Sequence, residues 1–259
     1  MSSFTKSNAY PWALTGIFGA LHLVLTLIPF SLSVSGTGAI SFGMVSATIL
    51  GYLLGPFYGT VSVLIGSYIG ITINPELALL GPFTPLATAA GALAAGMMRA
   101  KKPTIIPILY LIGIVLYLLS PVGPLVPELI WFHTIALILS LLFVVPPISK
   151  KMLGEIELEG RVTTRALFVF ALVAVTLDQI IGSAIGTYYL VHIAGFDLAL
   201  VITWYIGAIF IYPVERIIGA VIITVVLSAV IESLSSSYFQ LPTSPLQSMG
   251  SGDTIEEET

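Results

Sequence analysis

One carboxylate stands where an apolar chain does not keep one without use. Asp178 lies in "AVTLDQIIGSAIGTYYLVH", inside the largely apolar candidate span 163–190. A carboxylate near the middle of such a run is rare and costly, and it normally faces a cavity or a partner group. Its candidate chemistry is contact with a ligand or an ion; the alternatives are a structural hydrogen bond to a neighbouring helix or a carboxyl kept neutral by its surroundings. Gly182 and Gly186 continue its face at i+4 and i+8 and leave the backbone open beside it. Gln179 points about 100° away and is less suited to the same cavity. Glu215 and Arg216 form the second candidate. A guanidinium can hold a carboxylate or phosphate by two parallel bonds, or it can serve a salt bridge or reach the headgroups. Asn74, in the loop "TINPELALLGP", is placed to close over a ligand, although Asn-Pro is also a turn signal.

Aromatic residues divide between two duties. Trp12, Trp131 and Tyr212 sit near expected helix ends, where amphipathic rings settle at a membrane–water boundary. Trp204 and Tyr188 flank Asp178 and Arg216 in the expected arrangement and offer faces to a planar ligand. His22, His133 and His192 are isolated, no two have the spacing of metal ligands, and no metal site is assigned. The chain has no cysteine, which removes thiolate chemistry. No H-E-x-x-H, G-x-S-x-G or phosphate-cradling G-x-x-x-x-G-K-[ST] occurs, so neither an enzymatic activity nor a directly bound cofactor is expected. No nucleic-acid partner is expected either.

The elements that hold these residues are set by the solvent. Apolar residues make up 57 % of the 259-residue chain and charged residues 8 %, with a mean hydropathy of +1.05. Between Lys6 and Glu76 there is no Asp, Glu, Lys or Arg; a soluble domain could not hide such a stretch, and the lipid bilayer is its expected surroundings. Apolar runs fall at 12–32, 41–54, 57–73, 82–98, 104–121, 126–147, 163–190 and 213–234. The expected fold class is therefore an all-α integral membrane protein, a bundle of about eight transmembrane helices forming one domain over 1–234. A ninth apolar stretch, 198–212, is short for a crossing. The Ser/Pro/Gly-rich acidic segment 235–259 is expected to be a disordered tail.

Basic residues orient the bundle. With the N-terminus cytoplasmic, Lys6, Arg99, Lys101, Lys102, Lys150, Lys151, Arg161 and Arg165 fall on the cytoplasmic side of a plasma membrane, and Arg216 alone dissents. Arg216 stays on the outer side if 198–212 does not cross.

"LLGPFYG" (53–59) and "LLGPFTP" (79–85) each break an apolar run with Gly-Pro. Proline suits the first turn of a helix, and the glycine before it lets the chain turn, so each reads as a helix start. Each is followed by a stripe of small residues: Ser62, Gly66 and Gly70 after the first, Ala87, Gly91 and Ala95 after the second. In lipid, such stripes let helix backbones approach closely. The first helix carries its own pair, Gly16 and Ala20.

The stretch "ISFGMVSATILGYLLGPFYGTVSVLIGSYIG" resembles the second and third helices of the substrate-binding (S) components of energy-coupling factor transporters. "PLATAAGALAAGMMRAKK" looks like their fourth helix, and "IYPVERIIGAVIITVVLSAVI" like their last, which begins on the outer side. The resemblance covers about two thirds of the chain; the runs 104–121 and 126–147 are additional to that family's six-helix core. It implies a membrane subunit that captures a vitamin, a related small molecule or a metal ion at its outer face. It also implies a transmembrane coupling subunit and ATPase subunits as partners, which alone use ATP, with Gly16 and Ala20 on the coupling surface. A self-sufficient ion-coupled secondary transporter, a non-transporting scaffold subunit and an intramembrane enzyme remain alternatives.

Overall fold

Helix boundaries follow the prolines and glycines. A computed structural model describes residues 9–28, 42–149 and 164–235; Lys6, Lys150, Lys151, Arg161 and the tail 236–259 lie outside the described residues. In chain order the helices are α1 (Ala9–Leu27), α2 (Gly43–Ile73), α3 (Thr84–Arg99), α4 (Ile105–Leu118), α5 (Trp131–Leu142), α6 (Thr164–Tyr188), α7 (Leu198–Ala208) and α8 (Ile211–Ser235). Among the described residues there is no strand, and the all-α class holds.

α2 is two limbs. Gly55 takes φ 81° and ψ 178°, outside helical space, and Pro56 opens the second limb. The limbs fold back on each other: a Cβ placed on Gly59 would lie 2.8 Å from the Cα of Gly51. Farther along, Ser46 and Ser67 both reach the same imidazole, that of His22. The first Gly-Pro thus builds a helical hairpin. The second, Gly81-Pro82, forms a single 3₁₀ turn that leads into α3, and Gly81 again has a positive φ, of 55°.

The small-residue stripes are buried where backbones touch. At Gly51 a Cβ would lie 2.0 Å from the carbonyl oxygen of Ala92, and at Gly96 it would lie 2.4 Å from the nitrogen of Pro56, so α2 and α3 meet backbone to backbone. Gly19 of α1 and Gly66 of the second limb meet in the same way, and Ser62 Oγ donates to the carbonyl of Thr15 at 3.0 Å. Gly16 and Ala20 lie on the opposite, exposed face of α1, with open space around Gly16.

α6 is the central helix. Leu167, Phe170, Val173 and Leu177 are fully buried on several of its faces, the pattern of a helix with neighbours all round. Tyr110 of α4 donates to the carbonyl of Val173 at 2.6 Å, and Phe170 meets Tyr52 of α2 edge-on at 5.5 Å.

Among the described residues four helical segments are long and apolar enough to cross a membrane, namely Ala9–Leu27, Gly43–Ile73, Thr164–Ile193 and Ile211–Ser233. These four hold five of the eight expected spans, because Gly43–Ile73 takes in both 41–54 and 57–73, and the folding back of α2 means that its 31 residues are not one straight rod. The expected spans 104–121 and 126–147 are shorter apolar helices, Ile105–Leu118 and Pro127–Leu142, and 82–98 is the 16-residue α3.

The hairpin turn is held by Arg99. Its Nη1 donates to the carbonyls of Tyr52 (3.0 Å) and Leu53, the last turn of the first limb, while the guanidinium lies 5.8 Å from the centroid of the Tyr52 ring. A cation at carbonyls freed by a helix end is favourable on both hydrogen-bond and dipole grounds. Arg99→Met is expected to lower stability by about 1–3 kcal/mol, the loss of a charged donor shared by two backbone carbonyls at the hairpin turn. Thermal unfolding of the detergent-solubilised variant checks this, and an unchanged midpoint contradicts it.

Candidate functional site

A cavity of about 320 Å³ opens where the free ends of the α2 hairpin meet α3, α6 and α8. Gly43 and Met44 line it from the start of α2 and Ser67 and Ile71 from its end, so it lies at the opposite end of the hairpin from Gly55 and Arg99. The 77–80 segment and α7 cover it, contributing Leu77, Leu80, Trp204 and Tyr205. Ile211, Tyr212 and Arg216 at the start of α8 line the same cavity, as does Leu190 just after α6. The chain therefore enters and leaves α7 at one end of the bundle, and this 11-residue helix does not carry it to the other. Asp197 starts α7 by accepting from the backbone N–H of Ala199 (2.9 Å) and Leu200 (3.3 Å), the usual service of an aspartate at an N-cap.

Three ionisable side chains share the cavity. Asp178 on α6 is 9 % exposed, Glu215 on α8 7 % and Arg216 6 %, and all three line it. Gly91 makes room for Asp178: a Cβ there would stand 3.2 Å from the Cβ of Asp178, so α3 approaches α6 at this level only because the glycine has none. Neither carboxylate has a hydrogen-bond or ion-pair partner among the described residues. Arg216 is engaged elsewhere. Its Nη2 donates to Oε1 of Gln179, its Nη1 contacts Sδ of Met44 at 2.7 Å, and its Nε is buried without a partner. Gln179 passes its own Nε2–H to Ser183 Oγ at 3.3 Å.

Around this centre the aromatic hydroxyls are occupied by backbone. Tyr205 Oη donates to the carbonyl of Ser183 at 3.0 Å and Tyr212 Oη to that of Leu129 at 2.6 Å. His133 stacks on Tyr212 with ring centroids 4.9 Å apart, and its buried Nε2 has no partner. One layer further out lies His22, fully buried, with Nδ1 at 2.7 Å from Ser46 Oγ and Nε2 at 2.8 Å from Ser67 Oγ. It ties α1 to both limbs of α2 beside the cavity wall, a hydrogen-bonded packing histidine. Among the described residues no three His, Cys, Asp or Glu side chains converge.

Of the residues expected from sequence, Asp178, Glu215, Arg216 and Trp204 come together in the cavity. Asn74 does not line it; its Oδ1 accepts from the backbone N–H of Glu76 at 3.2 Å and caps a 3₁₀ turn. Tyr188 does not line it either, being exposed at the helix end, with its hydroxyl 3.4 Å from the carbonyl of Leu116. Gln179 corrects the sequence reading, because it lines the cavity beside Asp178 and holds the arginine; the cavity is wide enough to take two adjacent helical positions. Sequence reasoning missed Tyr205 and set Tyr212 at the membrane boundary. Tyr212 had a signal, its place one turn before Arg216 on the same face of α8.

No family model matches the chain, and no solved structure matches it. An uncharacterized protein of Methanocaldococcus jannaschii is 26 % identical over 207 residues, 80 % of this chain. The chain spans 65 % of that relative's length.

Proposed function

We propose that the chain is the solute-capturing membrane subunit of an ATP-driven uptake system of the energy-coupling factor type, binding a small molecule in the cavity of Asp178, Glu215, Arg216 and Trp204. The observation that carries this reading is the pair of buried carboxylates that line the cavity without a hydrogen-bond or ion-pair partner among the described residues. Acceptor oxygens that face a cavity and take no bond from the protein are open to the donors of a ligand. The transporter class rests on the resemblance of the 40–70, 85–102 and 211–231 stretches. Two features agree with it: the exposed Gly16 and Ala20 face of α1, free to meet a coupling subunit, and a cavity at the end of the bundle away from Arg99, Lys101 and Lys102. With the N-terminus cytoplasmic, that end faces outward.

Native mass spectrometry of the detergent-purified protein tests the proposal, since a co-purified small molecule and associated ATPase subunits are expected. In liposomes the protein alone should bind solute and accumulate none; accumulation driven by a proton gradient would instead identify a self-sufficient secondary transporter, and a scaffold would bind nothing. Asp178→Asn is expected to weaken retention of the co-purified solute by roughly tenfold or more, the value of one charge-assisted hydrogen bond, while the melting curve stays close to that of the parent. Undiminished retention would take Asp178 out of the site.

A further inference from the structure

Resting on the solute-capture reading, we infer that the solute is an organic cation: a flat, largely apolar body bearing an amine, amidine or similar N–H-rich positive head. Two acids and one base line the cavity, Asp178 and Glu215 against Arg216, and no other Asp, Glu, Lys or Arg does. With all three ionised, the cavity carries one uncompensated negative charge. Arg216 is already engaged on the protein side, each terminal nitrogen giving one contact, to Gln179 and to Met44, and its Nε is buried out of reach of a solute. A two-pronged grip on an anionic head would compete with those contacts. The carboxylates are in the opposite condition, 9 % and 7 % exposed, acceptor-only when ionised, and without a donor among the described residues.

The remaining polar groups point the same way. The hydroxyls of Tyr205 and Tyr212 already donate to the carbonyls of Ser183 and Leu129, so neither is a spare donor for an anion. Trp204, Tyr205 and Tyr212 among the lining residues supply π-systems that attract a cation lying over their faces. A bare metal ion is the poorer occupant, since no three His, Cys, Asp or Glu side chains converge among the described residues. A volume of about 320 Å³ lies at the small end of ligand cavities and suits a body of one or two rings.

Benzamidinium and benzoate, planar ions of matched size and opposite charge, separate the possibilities when titrated calorimetrically into the full-length protein in detergent. Benzamidinium is expected to bind and benzoate not to. Asp178→Asn and Glu215→Gln should each weaken benzamidinium by roughly tenfold or more, and Glu215→Gln stands in if the first variant does not fold. Tighter binding of benzoate, binding of cobalt(II) in place of benzamidinium, or benzamidinium affinity in both variants unchanged from the parent would overturn the inference. If neither probe binds, native mass spectrometry of the co-purified solute decides. A cationic solute supports the inference; an anionic or neutral one ends it while leaving solute capture standing; no solute at all removes both.

Discussion

Gly51→Ala is expected to abolish the folded protein in detergent, whereas Gly16→Ala leaves it as stable as the parent or slightly more so. The two glycines occupy α-helices, and an alanine at either gains about 0.8–1 kcal/mol of intrinsic helix preference. What separates them is what the added methyl meets. At Gly16 nothing lies within 4 Å; at Gly51 the carbonyl oxygen, carbonyl carbon and Cα of Ala92 lie at 2.0, 2.7 and 2.8 Å. Those are backbone atoms and cannot rotate aside. Restoring ordinary contact, at 3.4 Å or more, means sliding the first limb of α2 away from α3, and the same movement disturbs Gly59 against Gly51 and Gly96 against Pro56. Overpacking of a flexible side chain costs about 1–3 kcal/mol, and a displacement that disturbs two backbone contacts between α2 and α3 and one between the limbs of α2 is expected to exceed about 3 kcal/mol. Size-exclusion profiles and thermal unfolding of the two variants read this directly. Equal melting temperatures would mean that α2 and α3 do not touch at Gly51.

His22→Ala carries the next largest expected effect, a loss of about 3–5 kcal/mol, in the range of large-to-small core substitutions aggravated by lost hydrogen bonds. The imidazole is fully buried and uses both nitrogens, one on each limb of the α2 hairpin. Ser46 keeps a fallback, the carbonyl of Gly43 at 3.1 Å; Ser67 Oγ has no second hydrogen-bond partner among the described residues and loses more. Because Thr26 and Ser67 line the cavity, loosening this joint should also release bound solute. His22→Asn, which keeps a donor and an acceptor, should recover part of the melting temperature but not all of it. A fully stable His22→Ala variant would show that the hairpin is held by its glycine contacts alone.

Much of the fold was legible because the bilayer simplifies the code. Apolar runs and Gly-Pro breaks marked the hairpin and the start of α3, since glycine before proline has few other uses inside such runs. The small-residue stripes announced close packing, but not with which neighbour; Ser62, Gly66 and Gly70 meet α1, while Ala87 and Gly91 meet α6. In the candidate site, Asp178, Glu215 and Arg216 stood out by charge, which no apolar surrounding tolerates idly. Gln179 and Tyr205 did not, because an amide or a phenol is unremarked in a helix until its partner across the bundle is known. Asn74 and Tyr188 were adjacent in loop or helix to the right residues, yet a turn cap and an exposed helix end absorbed them, a local choice that sequence spacing does not report.

The short helices of one flank have a consequence for the lipid. α4 has 14 residues, and α5 with the 3₁₀ turn Pro127–Ile130 that runs into it has 16, lengths of about 21 and 26 Å against a hydrocarbon core of about 30 Å. Their exposed side chains, Ile108, Leu111, Ile112 and Val115 on α4 and Ile135 and Ile138 on α5, are a low apolar wall. If this wall meets the bilayer, acyl chains beside it must shorten or tilt, and short-chain lipids are expected to relieve the mismatch.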